Sequence, residues 1–325
     1  MQKNRRKFWQ KSYPRKKMTI KTKEEDTSIH KTVLLNEAIE GLNLKNGAIV
    51  ADATFGGGGH SLEICKRFPE ARIIALDQDR SSWERTKDKF ENCKISFHNE
   101  NFRDLDKVLI GLHLKGFDGI IFDLGLSSDQ LENSGRGFSF LLDEPLLMQM
   151  KNLGTENSSE EEVTAYDVVN SWSEKNLADI IYGYGEEKFA RRIAKGIAEA
   201  REKAKIKTTF NLVKIIEGAV PAVYRRGRIH FATRTFQAIR IAVNDELGAL
   251  TEGLKKGFKF LKNGGRMSVI TFHSLEDRIV KRFYKEKEKE GEARLINKKV
   301  ILANNNEVRS NPRSRSAKLR ILEKT

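Results

Sequence analysis

The sequence predicts an α/β fold, a mainly parallel sheet with helices on both faces and an inserted helical subdomain. Three observations predict it. Short apolar runs alternate with segments of helical patterning up to Phe122, as in consecutive strand and helix units. The alternation then stops until Arg266, and the stretch between is helical in its spacing. Four glycines follow the first apolar run, at the edge where open parallel sheets bind ligands.

Taken in order, Ala48 to Ala53 reads as a buried strand ended by a glycine cluster. Leu62 to Phe68 has helical patterning, Arg72 to Leu76 is a second strand and Ser81 to Phe90 a second helix. Ile95 to Phe97 and Phe117 to Phe122 complete the first group of strands. In the insertion, Leu177, Ile180, Ile181 and Tyr184 recur at helical spacing, as do Phe189, Ile193 and Ile197, then Leu212, Ile215, Ile216 and Ala219. Phe236, Ile239, Val243, Leu247, Leu250 and Leu254 step through one long helix, which Asn263, Gly264 and Gly265 are expected to end. Arg266 to Phe272 then closes the sheet. These limits divide the chain into a basic arm (1–27), a first sheet part (28–140), a helical insertion (141–232) and a second sheet part (233–325).

The 325 residues hold 60 Lys plus Arg against 45 Asp plus Glu, a formal charge of +15. Ten of the basic side chains lie between Lys3 and Lys23 with no acid among them, and the remaining residues carry only a small positive excess. Such a block repels itself and cannot bury a core, so residues 1–27 are expected to be a disordered arm. Attraction to phosphate is its functional reading; a solubility tail, or a start at Met18, also explains it. Arg225, Arg226, Arg228, His230 and Arg234, and later Arg309, Arg313, Arg315, Lys318 and Arg320, form further clusters beside loops, suited either to phosphate or to a solvated face. No run approaches the ~18 apolar residues of a membrane span, and the N-terminus lacks a signal peptide's apolar stretch, so a cytoplasmic protein without membrane partners is expected. Cys65 and Cys93 match neither CxxC nor Cys/His spacing, which leaves two thiols rather than a disulfide scaffold or a zinc site.

In Asp52-Ala-Thr-Phe-Gly-Gly-Gly-Gly-His60-Ser61 the glycines let the backbone approach a ligand closely. The absence of a following Lys-Ser/Thr excludes a Walker A loop, and Ser61 stands where a dinucleotide fingerprint needs Gly or Ala. Asp77 ends the second strand about 20 residues further on, where a carboxylate accepts ribose hydroxyls in nicotinamide or S-adenosylmethionine sites; a cap on the helix near Ser81 is the structural alternative. Asp52 can bind loop amides. Asp123 ends the fourth strand beside the turn Leu124-Gly125. It suits the acceptor that an exocyclic amine of cytosine requires, because that nitrogen's lone pair is delocalised into the ring until an acceptor takes its N–H. A cofactor ligand is the alternative.

Further motifs then group with these: His30-Lys-Thr-Val-Leu-Leu35, Asp123-Leu-Gly-Leu-Ser-Ser-Asp-Gln130, Arg136-Gly-Phe-Ser-Phe140, Tyr184-Gly-Glu-Glu187, Thr233-Arg-Thr-Phe-Gln-Ala-Ile-Arg240, Phe272-His-Ser-Leu-Glu-Asp-Arg278 and Asn311-Pro-Arg-Ser-Arg-Ser316. From about residue 28 to 322 the chain closely resembles the ribosomal RNA small-subunit methyltransferase H family. The resemblance implies a Rossmann-like methyltransferase fold and transfer of a methyl group from S-adenosyl-L-methionine to N4 of a cytidine in the decoding region of 16S rRNA, within the small ribosomal subunit. It implies cofactor contacts at Gly58, Gly59, His60, Asp77, Phe102, Asp123 and Gln130, with Asp123 also the catalytic candidate, and no metal. Phe102 flanks adenine in that reading and is a core aromatic otherwise. A homodimer stays open.

The family's Pro-Leu-Asp-Met-Arg-Met is here Pro145-Leu-Leu-Met-Gln-Met150, so Leu147 and Gln149 replace an acid and a base. This is consistent with an ion pair exchanged for neutral contacts. It also keeps a non-catalytic assembly factor open beside the methyltransferase, with a nicotinamide-dependent oxidoreductase as the third class. Ser274 with Asp277 fits a capping box, and His273 stands at the strand end beside it.

Overall fold

The computed structural model of the protein describes residues 32–151 and 162–325, so the basic arm 1–27 lies outside the described residues. In chain order the elements are α1 (Leu35–Leu42), β1 (Ile49–Asp52), α2 (Gly59–Arg67), β2 (Arg72–Leu76), α3 (Arg80–Glu84), β3 (Ile95–His98), α4 (Leu105–Gly111), β4 (Phe117–Asp123) and α5 (Ser128–Glu132). They continue with α6 (Ala165–Ser171), α7 (Glu174–Gly183), α8 (Ala190–Lys203), α9 (Thr209–Ala219), α10 (Thr233–Asn244) and α11 (Glu246–Phe260). The last are β5 (Leu261–Thr271), α12 (Ser274–Lys289), β6 (Ala293–Leu295), α13 (Asn305–Ser310) and β7 (Lys318–Lys324).

The strands form one seven-stranded sheet in the order β3-β2-β1-β4-β5-β7-β6. The first five run parallel, while β7 pairs antiparallel with both β5 and β6. The parallel strands read as unbroken apolar runs because both of their faces are covered. On one face Leu105 and Leu109 of α4, Leu254 and Phe258 of α11, and Val280 and Tyr284 of α12 pack on Ile74, Ile120 and Phe122. On the other, Ile39 and Leu42 of α1 and Ile64 of α2 pack on Val50, Ile73 and Ile121. The chain runs from β1 outward to β3 and returns to place β4 on the other side of β1. That reversal opens a crevice beyond the carboxyl ends of β1 and β4.

The segment between β4 and β5 builds a core of its own. Val168, Leu177, Ile181, Ile193, Ile197, Leu212 and Ile216 are all buried in it, and Phe236 and Ile239 of α10 join them. The Tyr184-Gly-Glu-Glu187 turn ties this core to the sheet. Glu187 is buried and accepts from the Phe189 N–H at 2.9 Å and the Tyr224 hydroxyl at 2.5 Å, while Glu186 accepts from Ser274 Oγ at 2.5 Å and Arg278 at 2.9 Å on α12.

The structure departs from the sequence expectations in several places. The long helix expected through Leu254 is two helices, because Asp245 adopts φ 46° between α10 and α11. Asn244 there donates to the Met148 carbonyl at 2.8 Å and accepts from the Met150 N–H at 2.7 Å, so the break clamps a loop. Asn263-Gly264-Gly265 does not end a helix. It lies within β5, with Gly264 at φ 76°, where the pairing with β4 shifts register between Phe117 and Gly119. The stretch expected as one helix from Ser81 to Phe90 is α3 followed by a 3-10 turn, Lys87–Phe90. Cys65 and Cys93, expected as thiols, form a disulfide between α2 and the approach to β3, their Cα atoms 5.7 Å apart. Folding β3 beside β2 brings together two positions 28 residues apart, which no local spacing reports. No described helix is long and apolar enough to cross a membrane.

Candidate active site

Asp52 is the last residue of β1, Asp123 the last of β4, and Asp77 follows β2. Asp52 lies opposite Ala75 and Ile121, so each of the other acids stands two residues further along a neighbouring strand. The glycine loop crosses the same edge. Gly58 has φ 74°, and a Cβ there would lie 2.5 Å from the Phe55 ring and 2.9 Å from Phe90, so only glycine admits this packing. Phe55, Phe90, Phe97 and Trp83 form an aromatic cluster under the loop, with Trp83 stacked on Phe97 at 5.4 Å. Gly59 begins α2, and His60 in its first turn is buried with Nδ1 3.7 Å from Asp123 Oδ2.

Asp77 does not cap the helix near Ser81; Asp79 does, accepting from the Ser81 N–H at 3.2 Å. Asp77 instead fixes the loop, its Oδ2 accepting from Gly56 N–H at 2.7 Å and its Oδ1 from Asp79 N–H at 2.8 Å. One lone pair on each oxygen stays available, which fits a pair of ribose hydroxyls. Burial pushes its carboxyl up to about 7, with the charges of Asp79 and Asp52 adding, against the two N–H donors. Asp52 accepts from Ser61 Oγ at 2.6 Å and Thr54 N–H at 3.3 Å, and burial raises it to about 6.

The Asp123 backbone N–H donates to Thr54 Oγ1 at 2.6 Å, which seats this acid beside the loop. Its Oδ1 is buried without a hydrogen-bond partner among the described residues. Burial, then the charges of Asp52 and Glu276, raise its carboxyl to about 8. A buried acceptor that lacks a donor is satisfied by an N–H or O–H arriving from a ligand. Phe102 stands at the start of a 3-10 turn, half-buried, edge-on to Phe122 at 5.7 Å and in contact with Gly253. Gln130 is buried, and its side chain accepts from Ser127 N–H at 3.0 Å in the capping box of α5.

Sequence reasoning missed two groups. Arg136 forms an ion pair with the buried Asp79 and donates to the Gln149 carbonyl at 3.1 Å and the Met150 carbonyl at 3.0 Å, joining the sheet to the 145–150 loop. Among the described residues the Gln149 side chain makes one neutral hydrogen bond, from Nε2 to the Glu162 carbonyl at 3.2 Å, and Leu147 is half-buried. Arg136, the first residue of the Arg136 to Phe140 motif, was the available signal. The second group surrounds α12. His273, not Ser274, is its N-cap, and the reciprocal partner is Glu276, which accepts from the His273 N–H at 3.2 Å and the Phe272 N–H at 2.8 Å. Asp277 is engaged elsewhere, accepting from Arg320 at 2.8 Å. Burial opposes charge on Glu276, but the His273 contact and Arg240 outweigh it and lower its pKa, and Arg240 itself holds Glu246 through bonds of 2.8 and 2.9 Å.

Removing Arg136 would leave Asp79 buried and unpaired, a loss of about 3 to 5 kcal/mol when one partner of a buried pair is deleted. Arg136→Met is therefore expected to lower the urea midpoint by a corresponding amount, and an unchanged midpoint would show that the pair contributes nothing to folding.

The chain matches the MraW methylase family over residues 27–325. A protein of Limosilactobacillus fermentum named ribosomal RNA small subunit methyltransferase H is 43% identical over 314 residues, covering 91% of this chain and 98% of the relative. One of the same name from Persephonella marina is 44% identical over 297 residues, covering 91% and 99%. Among solved structures, an rRNA methylase from Streptococcus thermophilus aligns over 89% of this chain and 94% of its own, with 11% identity and a TM-score of 0.42. Matched along nearly its whole length by the family and by relatives above 40% identity, the chain belongs to the MraW methylase family.

Proposed function

We propose that the protein transfers the methyl group of S-adenosylmethionine to N4 of a cytidine in the decoding region of 16S rRNA, within the small ribosomal subunit. The observation that carries this reading is Asp123, a strand-terminal acid at the crevice whose buried Oδ1 has no donor among the described residues. A carboxylate there accepts an N–H of the exocyclic amine, returns the nitrogen lone pair from the ring, and helps balance the proton that leaves. The bound cofactor supplies an electrophilic methyl group on a sulfonium. Asp77 holds the ribose hydroxyls, the Gly58-Gly59-His60 backbone approaches the cofactor's chain, Phe102 flanks the adenine and Gln130 closes the site from α5.

The cytosine must leave its stack to meet Asp123, because N4 within a stacked helix is not reachable for in-line attack. In this reading the helical insertion 141–232 presents the RNA. Arg225, Arg226 and Arg228 are exposed there, although Arg225 shares an ion pair with Glu217 at 3.2 Å. The later basic cluster is less available. Arg313 binds Glu132 at 2.7 Å, Lys318 and Arg320 bind Asp277, and Arg309 and Arg315 remain exposed. Phosphate contact therefore falls mainly to the insertion and to the arm. The test is mass spectrometry of nucleosides from small-subunit rRNA of a deletion strain. An N4-methylated cytidine absent from that strain and restored by the gene is expected; an unchanged nucleoside profile rejects the reading in favour of a non-catalytic assembly factor.

A further inference from the structure

Three neighbouring strands, β2, β1 and β4, each present an aspartate at the carboxyl end, with Asp52 on the middle one. No lysine or arginine among the described residues pairs with Asp52, Asp77 or Asp123. The charged groups around them are otherwise engaged. Arg136 is bound to Asp79, Arg240 to Glu246, and Glu276 to His273, while His60 Nδ1 stands 3.7 Å from Asp123. Asp52 is the most enclosed of the three, 1% exposed and held by Ser61 Oγ and the Thr54 N–H. Like charges set side by side at a partly buried edge without a lysine or arginine are costly, and a cationic ligand relieves them.

The reaction proposed above offers such a ligand and then removes its charge. With the cofactor bound, the electron pair of the breaking S–CH3 bond would stay on sulfur, the N4–CH3 bond would form, and the proton lost by the amine would pass to the Asp123 carboxylate. The sulfur product is a neutral thioether. Resting on that reading, we propose that Asp52, flanked by Asp77 and Asp123, makes the site charge-selective, so that it holds the sulfonium cofactor and releases the thioether product, with Asp52 as the specificity-determining residue. Asp52 acts through its field and through the ionisation of its neighbours.

The sign follows from the acids. Their carboxyls are raised to about 6, 7 and 8 in Asp52, Asp77 and Asp123. Raising the pH through this window ionises them and strengthens attraction to the sulfonium more than to the thioether. Cofactor and product share the same amino and carboxyl groups, so their ratio of affinities isolates the sulfur's charge.

The experiment is calorimetric titration of S-adenosylmethionine and S-adenosylhomocysteine into the full-length protein at pH 5.5, 6.5 and 7.5, repeated with Asp52→Asn and Ser61→Ala. In the unmodified protein the ratio favouring the sulfonium should rise by about tenfold or more from pH 5.5 to 7.5, given interactions between close charges of low solvation. Asp52→Asn should shrink that rise to the part Asp77 and Asp123 supply, with the thioether's affinity nearly unchanged. Ser61→Ala removes a donor to the Asp52 carboxylate, which raises its pKa and should move the rise to higher pH. It also keeps the inference testable if Asp52→Asn does not fold. A ratio that is independent of pH, or that both folded variants leave unaltered, overturns the proposal. Failure of either ligand to bind the unmodified protein overturns the functional reading itself, and this inference with it.

Discussion

Asp77→Ala is expected to weaken S-adenosylmethionine binding by at least about a hundredfold. Hydrogen bonds to a charged group contribute roughly 1.5 to 3 kcal/mol each, and a ribose presents two hydroxyls to this carboxylate. The substitution also releases the Gly56 and Asp79 N–H groups that Asp77 holds at 2.7 and 2.8 Å, so part of the loss comes through a loosened glycine loop. Asp77→Asn is a milder change, since its amide oxygen keeps one of the two loop N–H bonds while its NH2 can only donate, so it loses one loop bond and one acceptor for the ribose. Calorimetry is the measurement, with thermal unfolding as the folding control. Unchanged affinity in a folded Asp77→Ala protein would remove Asp77 from the cofactor site.

Asp123→Asn is expected to lower the single-turnover methylation rate by about 10² to 10⁴, the usual range for a positioned acid or base, and to change cofactor affinity far less. The amide is isosteric and its backbone N–H keeps the bond to Thr54 Oγ1 at 2.6 Å, so the seat of the side chain survives. It can no longer balance the proton that leaves the amine. The carboxyl is raised to about 8, and the acceptor is the carboxylate, so the rate of the unmodified protein should climb as pH rises toward that value. A bound cation lowers the value, which moves the climb to lower pH when the cofactor saturates the site. Equal losses in rate and affinity would assign Asp123 to cofactor binding alone.

The sequence by itself determined the succession of parallel strands along the chain and the position of the candidate acids at strand ends. A strand buried on both faces has no polar side chain to spare, so Arg72–Leu76 and Phe117–Asp123 are legible as apolar runs, and an acid at the end of such a run has only the sheet edge to occupy. The helical insertion was legible for a related reason, because Leu177, Ile181, Ile193, Ile197, Leu212 and Ile216 repeat with the period of the helix that buries them. Eight motifs in order also marked the family, which the relatives bear out.

Tertiary structure alone decided what depends on contacts distant in the chain. Periodicity reports which side chains are buried and is silent about backbone φ, so the apolar stripe ran unbroken through Asp245, where a clamp from Asn244 onto Met148 and Met150 splits the helix. Asn263-Gly264-Gly265 reads as a helix stop in isolation, but pairing with β4 makes it an irregularity inside β5. Ser274 and Asp277 suit a capping box by spacing, yet Asp277 is drawn to Arg320 on β7, and His273 with Glu276 takes the cap. The disulfide between Cys65 and Cys93, the pair of Arg136 with Asp79, and the crowding of Asp52, Asp77 and Asp123 without a described lysine or arginine partner all arise only when separate strands are laid side by side. A sequence orders residues along a line, and charge interacts through space.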